Sequence, residues 1–456
     1  MAGTLVCDIE PSPCIGEILS SAYKAYRECG GHRRRGPGPF RLGVADRPQC
    51  RHHRRTMRTN GRLLDEAKEQ LPAAVALRRR IHRHPELGLE LPATRQAVLE
   101  ALADLGLEVE LGRRSSSVLA TLVGARPGRS ILLRADMDAL PLREDTGLEF
   151  ASEIAGAMHA CGHDAHVAML VGAARMLAAR RAELRGRVVF MFQPGEEGHH
   201  GARIMLEEGL LERVDPPSAA FAIHITPTIP AGIVATRGAA LLAANDEFVI
   251  RIRGRGGHAS MPHDALDPIP IACEVVQAMQ SYVTRRVNAF DPAVLTVGKI
   301  EAGTTFNVIP ETASLWGTLR TFSERTREQV RSDLPRLVEG IAAGHRATAD
   351  VKLVAGYPVT VNDGGFADFS LAVARECLGE DKAFELPSPL MGAEDFSYVL
   401  QRIPGAMVFL GAAPHGAGPA APNHSNRMVL DEDAFAAGIA LNAAIALCYL
   451  EDAPAA

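Results

Sequence analysis

The stretch Met158-His159-Ala160-Cys161-Gly162-His163-Asp164-Ala165-His166 places a thiol and an imidazole two residues apart. In an extended segment positions i and i+2 face the same side, so Cys161 and His163 can point at one ion. An Ala- and Leu-rich run of helical period follows at once, over 165–181. Cys161 therefore stands just before a helix N-terminus, whose partial positive charge favours an anionic sulfur. A thiolate–imidazole pair suits zinc and its first-row neighbours. The plain alternative is a buried cysteine beside solvated histidines, and the motif alone does not choose between them.

The surrounding chain does. Apolar or alternating runs at 117–123, 130–135, 187–192, 219–225 and 406–411 read as strands. Runs with helical period at 63–84, 96–105, 367–378 and 432–450 read as helices. Reactive residues gather just after the strands. Asp136-Met137-Asp138 follows the second and again puts two carboxylates on one side. Gln193-Pro194-Gly195-Glu196-Glu197-Gly198 ends the third, His224 lies near the end of the fourth, and His424 sits in a Gly/Pro/Ala-rich loop. Taken singly, Asp-x-Asp reads as a turn, adjacent glutamates as solvated charge, and a strand-end histidine as a satisfied polar group. Together they fall where sites form in open α/β sheets, beyond the ends of strands that alternate with helices.

From Asp246 the pattern changes. Strands at 246–252, 293–301, 311–321 and 350–354 and helices at 266–285 and 324–341 follow the order β-α-β-β-α-β, that of a ferredoxin-like split unit. The expected architecture is α/β: a three-layer domain with a mixed sheet, in two parts (58–243 and 358–456), and an inserted ferredoxin-like α+β domain (244–357).

Composition narrows the function classes. The chain has 456 residues, room for two or three domains, and a formal net charge of −5, which gives no general affinity for nucleic acid. No apolar run approaching ~18 residues stands out, so no membrane span is expected. Eight cysteines at irregular spacing do not form a disulfide framework and point to a reducing, cytoplasmic setting. Half of them (Cys7, Cys14, Cys29, Cys50) lie in residues 1–57, with an Arg/His-rich run over 32–58. Asp8, Glu10, Glu17 and Glu28 argue against an acid-poor transit peptide, and no Cys-x-x-Cys pair supports a metal site there. Residues 1–57 are expected to be a disordered extension or an over-extended reading frame, with Met57 near the true start.

The ordered motifs resemble the amidohydrolase branch of the di-metal aminoacylase/carboxypeptidase clan, which includes hippurate hydrolases, N-acyl-L-amino-acid amidohydrolases and plant indole-acetyl-amino-acid hydrolases. The resemblance runs over 77–441. It is carried by Arg78-Arg79 with His82 and Pro85-Glu86-Leu87-Gly88, by Arg134 to Pro141, by the Cys161 motif, and by Gln193 to Glu197. Gly256-Gly257-His258-Ala259-Ser260, Asn307-Val308-Ile309-Pro310, Gly317-Thr318-Leu319-Arg320 and Glu394-Asp395-Phe396 extend it. Residues 1–57 have no counterpart. The resemblance implies two divalent metal ions per subunit, zinc or manganese with cobalt or nickel as further options, held by Cys161, His163, Glu197, His224 and His424. Cys161 takes the place of the clan's metal-bridging aspartate, Glu196 that of the general base, and Asp136 and Asp138 lie behind the ligands. It also implies that the two-part domain is catalytic and that the inserted domain 244–357 is a lid and dimerisation domain, through which a homodimer forms. Gly195 stands where the branch commonly has Ala.

The implied chemistry is amide hydrolysis of N-acyl amino acids, with metallo-carboxypeptidase or dipeptidase activity as the alternative. Adjacent glutamates point in different directions, so one can ligate while the other acts as base. His258, in a Gly-flanked loop, suits the oxyanion, from the partner subunit by the same resemblance. Asn307 and Arg320 suit the substrate carboxylate. A cysteine hydrolase using Cys161 as nucleophile and His163 as base is a further reading, but it leaves Glu196, Glu197, His224 and His424 without work.

Overall fold

The computed structural model describes residues 15–28, 53–213, 216–416 and 420–451. The chain divides into two compact units. The larger comprises residues up to Ala239 together with Asn362–Ser388 and Val399–Ala456, and the smaller comprises Ala240–Val361 and Pro389–Tyr398.

The larger unit is built on an eight-stranded mixed sheet. From one edge the strands are Glu108–Leu111, Val118–Val123, Arg185–Gln193, Arg126–Asp136, Ala219–Pro230, Gly405–Ala413, Val234–Thr236 and Ala383–Glu385. Four central strands, Arg185–Gln193 to Gly405–Ala413, run parallel. Val188, Val189, Phe190, Met191 and Phe192 are all fully buried, as expected of a parallel strand covered on both faces. The helices His53–Arg83, His163–Ala178, Gly364–Leu378 and Phe435–Glu451 pack around one core with these strands. On the first of them Leu63, Ala67, Ala74 and Ile81 form the inward stripe.

The closing helix corrects the reading that no apolar run approaches ~18 residues, while no membrane span follows from it. An 18-residue window within Glu432–Glu451 reaches a mean hydropathy of 1.6, enough to cross a membrane by length and composition, but 83% of that window is buried inside the fold. It is a core helix, apolar all round because it is covered all round.

Part of the N-terminal segment expected to be disordered is folded. Ile15–Glu28 is a helix, with Leu19 fully buried and Tyr26 stacked on Phe384 at 5.1 Å between ring centroids. The helix His53–Arg83 runs through Met57. Cys7, Cys14, Cys29 and Cys50 lie outside the described residues. The four described cysteines, Cys161, Cys273, Cys377 and Cys448, carry free thiols.

The smaller unit has a four-stranded antiparallel sheet in the order Ala293–Ala302, Thr312–Thr321, Ala244–Arg253, Thr348–Ala355. With the helices Pro268–Arg286 and Glu324–Gly344 this is the ferredoxin-like order. Phe248, Ile250 and Ile252 alternate inward and meet Ile271, Val275 and Met279 of one helix and Val330, Leu334 and Val338 of the other. Side chains of Asp267 and Ser323 cap the two helices, accepting from Ile269 N (2.9 Å) and Thr326 N (3.1 Å). Asp246 is buried under the bidentate guanidinium of Arg327, at 2.7 and 3.0 Å. Pro389–Tyr398, expected in the second catalytic part, clusters with this unit and is tied to it by Ala243 N donating to Leu390 O at 3.1 Å.

Candidate metal centre

The larger unit brings seven of the expected site residues together: Asp136, Asp138, Cys161, His163, Glu196, Glu197 and His224, with His424 beside them. The topology explains the gathering. Arg126–Asp136 and Arg185–Gln193 pair in parallel up to Asp136 and Gln193, so both release their chains at one edge of the sheet. The neighbouring strand pairs with Arg126–Asp136 only as far as Ala222 but continues against Phe409 at His224. His224 thus emerges at that same edge, although its strand extends to Pro230, beyond the expected end.

The helix expected from 165 begins earlier, at His163. Its N-cap is Gly162 at φ +89°, and a Cβ there would lie 2.5 Å from Ile225 Cγ2, so only glycine brings the motif this close to the His224 strand. A similar restriction explains Gly195 where Ala is common: φ is +72°, and a methyl would meet Leu89 Cδ2 at 2.6 Å.

The imidazoles are oriented by backbone oxygens. His163 Nδ1 donates to the Asp138 carbonyl at 2.8 Å, which turns Nε2 into the cluster. That Nε2 is buried and makes no hydrogen bond. His224 Nδ1 donates to Ile225 O at 2.9 Å and presents Nε2 to Cys161 Sγ at 3.4 Å. His424, at φ +68° in its loop, is fixed by its N–H on Ala160 O at 2.7 Å, and its Nε2 lies 3.2 Å from Glu197 Oε1. One carboxylate sets both glutamates: Asp138 Oδ1 accepts from Glu196 N and Oδ2 from Glu197 N, each at 2.9 Å.

Donor atoms within 4.8 Å of one another fall into the groups Cys161–His163–His224, Cys161–Glu197–His424 and His163–Glu196–Glu197. The first two share the Cys161 sulfur. The electrostatics differs from group to group. His424 is pushed up to about 10 by hydrogen bonding to Cys161 and Glu197. Burial works against charge on His163, yet Asp136 and Cys161 carry its pKa well above the ordinary imidazole value. Burial likewise opposes ionisation of Asp136, but Arg134, His163 and His166 hold it well below the usual range. His224 is different: burial holds its pKa well below the ordinary imidazole value and keeps the Nε2 lone pair available. An orphaned buried imidazole nitrogen, a shared sulfur and adjacent carboxylates fit divalent metal.

Three expected residues lie in the smaller unit. His258 is exposed, its Nδ1 accepting from Ser260 Oγ at 2.8 Å. Val308 pairs with it in a two-residue ladder, and Ala259 N donates to Asn307 O at 3.1 Å, so the fold brings His258 and Asn307 together. Arg320 is half-buried in the strand Thr312–Thr321, opposite Val294 on one side and Asn245 on the other.

Sequence reasoning missed several supporting groups. Asn423 Nδ2 donates to Cys161 O (3.0 Å) and Ile225 O (3.2 Å) and so ties the His424 loop to the centre. Asp164 is buried between Arg78 Nε and His82 Nδ1, both at 2.7 Å, and these hold its pKa far below the usual range despite burial. His166, quoted in the motif but given no role, bonds Asp136. A signal for it existed: on a helix, residues 163 and 166 share a face.

Two donor triads joined at one sulfur, with a further carboxylate beside them, could hold two metal ions, the arrangement that suits metal-assisted hydrolysis. Residues 132–447 match the model of peptidase family M20/M25/M40, and the chain belongs to that family of amide-bond hydrolases. It is similar to thermostable carboxypeptidase 1 of Saccharolobus solfataricus, 37% identical over 85% of this chain and 98% of that protein. It is also similar to N-acetylcysteine deacetylase of Bacillus subtilis, 38% identical over 83% and 97%. The crystal structure of Bacillus subtilis YxeP, described as a dinuclear metal-binding peptidase of the M20 family, superposes with a TM-score of 0.73 at 35% identity, covering 84% of this chain and 99% of that one.

Proposed function

We propose that the chain hydrolyses N-acyl amino acids, of the hippurate or N-acetyl kind, to a carboxylic acid and a free amino acid. The observation that carries this is the pair of donor triads sharing Cys161, with Glu196 next to the ligand Glu197. Cys161, His163 and His224 would hold one divalent ion, and Cys161, Glu197 and His424 the other, zinc or manganese foremost, with cobalt or nickel able to substitute. Such ions lower the pKa of water and polarise the scissile carbonyl.

The protein's own part is positional and acid–base. Asp138 fixes the peptide units of both glutamates, which separates their roles. Glu196 Oε2 lies 4.0 Å from His163 Nε2, at the centre's margin, where it takes the proton of the attacking water and returns it to the leaving nitrogen. The same reading assigns His258 to the oxyanion and Asn307 and Arg320 to the substrate carboxylate. It makes the protein a cytoplasmic homodimer joined through the smaller unit. The open edge strand Ala293–Ala302, with Val294 and Ile300 exposed, supports that surface.

A panel of N-acetyl and N-benzoyl amino acids and dipeptides, run on metal-reconstituted protein, tests the proposal. Preference for the N-acyl substrates by kcat/KM upholds it. Preference for dipeptides replaces it with the carboxypeptidase reading, which the 37% identity to a thermostable carboxypeptidase supports.

A further inference from the structure

We propose that His166 is a positioning residue for one of the two metal subsites: it holds Cys161–His163–His224 in ligating geometry and leaves Cys161–Glu197–His424 to other supports. The inference rests on the dinuclear reading above.

His166 is near enough to count among potential ligands, since its ring groups with Asp136 and His163. Its hydrogen bonds exclude it. Nε2 accepts from Ile225 N at 2.8 Å, so that nitrogen is unprotonated and its lone pair is taken. The proton is therefore on Nδ1, which donates to Asp136 Oδ1 at 2.5 Å. Neither nitrogen has a lone pair left for an ion.

Both bonds lead to ligands of the first subsite. Ile225 follows His224, and its carbonyl orients the His224 ring through Nδ1. The bond to Ile225 N fixes the peptide unit between His224 and Ile225, and Ile225 O, on the next unit, orients the ring, so His166 anchors the segment that sets the direction of His224 Nε2. Asp136 is the other end. Its Oδ2 accepts from Arg134 at 2.6 Å and stands 3.5 Å from His163 Nε2, the atom that would ligate. Held by His166 and Arg134, Asp136 stays just short of that nitrogen. Released on one side, it can turn and capture it. Packing reinforces the brace: the His166 ring stacks on His163 (5.5 Å, 28°) and meets His224 edge-on (5.1 Å, 70°).

The second subsite is positioned differently. Glu197 is set by Asp138 through its backbone N–H, and His424, its side chain 57% exposed, by Ala160 O; the Asn423 tie beside it reaches Ile225 O but is also held by Cys161 O, so the loop keeps two anchors that do not depend on His166. A perturbation at His166 should therefore split the two ions rather than weaken both.

The test is Co²⁺ binding to metal-free protein, by titration calorimetry with metal content checked after dialysis. Wild type should bind two ions per chain. His166→Ala should lose 10–100-fold in affinity for one ion, the usual scale for removing a group behind a ligand, and keep the other within threefold. His424→Ala should weaken the opposite ion, and the double variant both. His166→Asn can keep the bond to Asp136 while losing that to Ile225, and should fall between. If His166→Ala does not fold, His166→Asn decides by the same split. Two ions at wild-type affinity in a His166 variant, or equal loss of both, overturns the proposal. Fewer than two ions in wild type sinks the dinuclear reading itself, and this proposal with it.

Discussion

Replacing Asp138 probes how the chain separates the glutamate proposed to ligate from the one proposed to act as base. Its two oxygens each accept one backbone N–H, from Glu196 and Glu197, both at 2.9 Å, in a fully buried place. A hydrogen bond to a charged group is worth about 1.5–3 kcal/mol, and a buried N–H left without an acceptor costs about the same. Asp138→Ala removes both acceptors, so metal-free protein should lose about 3–6 kcal/mol of unfolding free energy. Asp138→Asn keeps the shape and one acceptor and should lose about half as much. Urea unfolding of the three metal-free proteins reads these differences without interference from bound ions. With metal restored, both variants should lose activity in the same order, because Glu196 and Glu197 are no longer set. An Asp138→Ala protein within ~1 kcal/mol of wild type, with unchanged kcat/KM, would refute the role given to this carboxylate.

Three other outcomes follow from particular contacts. Glu196→Gln should retain two ions and lose roughly 10²–10⁴ in kcat, whereas Glu197→Gln should lose metal; metal analysis showing the reverse exchanges their roles. In the smaller unit burial raises the Asp246 pKa, but Arg327, Arg331 and the Gly356 N–H outweigh it and set it below the ordinary value. Its contribution is therefore complete above the unfolded pKa of about 3.9 and fades as pH falls through the lower folded value. Asp246→Ala should cost about 3–5 kcal/mol at neutral pH, with the gap to wild type closing in acid; a pH-independent gap in denaturant midpoints counts against the ion pair. Amidated substrates should lose about 2–3 kcal/mol of transition-state binding relative to free acids, and Arg320→Leu should erase that difference; equal kcat/KM for acid and amide in wild type removes Arg320 from substrate recognition.

What could be read from the chain and what could not divide along a physical line. The central strands announce themselves because parallel strands are apolar throughout, as in 188–192, and the candidate residues Asp136, Asp138, Glu196 and Glu197 are visible because they come at or just after the ends of such strands. The ferredoxin-like order was legible because alternation in 246–252 and helical period in 324–341 are strong local signals. Short pieces gave no such signal. The three-residue edge strands Val234–Thr236 and Ala383–Glu385 have no periodicity to detect. The attachment of Pro389–Tyr398 to the smaller unit depends on contacts across more than a hundred residues, such as Ala243 with Leu390. Arg78–Asp164, Asn423 on Cys161 O and His166 on Ile225 N likewise join positions far apart in sequence: Arg78, Asn423 and His166 are ordinary polar residues until the fold supplies their partners. The helix Ile15–Glu28 was hidden by the unusual composition around it.

The central claim is that Cys161 is a shared metal ligand and not a nucleophile. Metal content and hydrolysis of an N-acyl amino acid, measured together on wild type and Cys161→Ala, test it most directly. The account predicts two ions per wild-type chain, activity lost on chelation and restored by Zn²⁺, Mn²⁺ or Co²⁺, and weakened binding of both ions when the sulfur is removed. Full activity in metal-free wild type, or a covalent thioester trapped at Cys161 with a slow substrate, would contradict it.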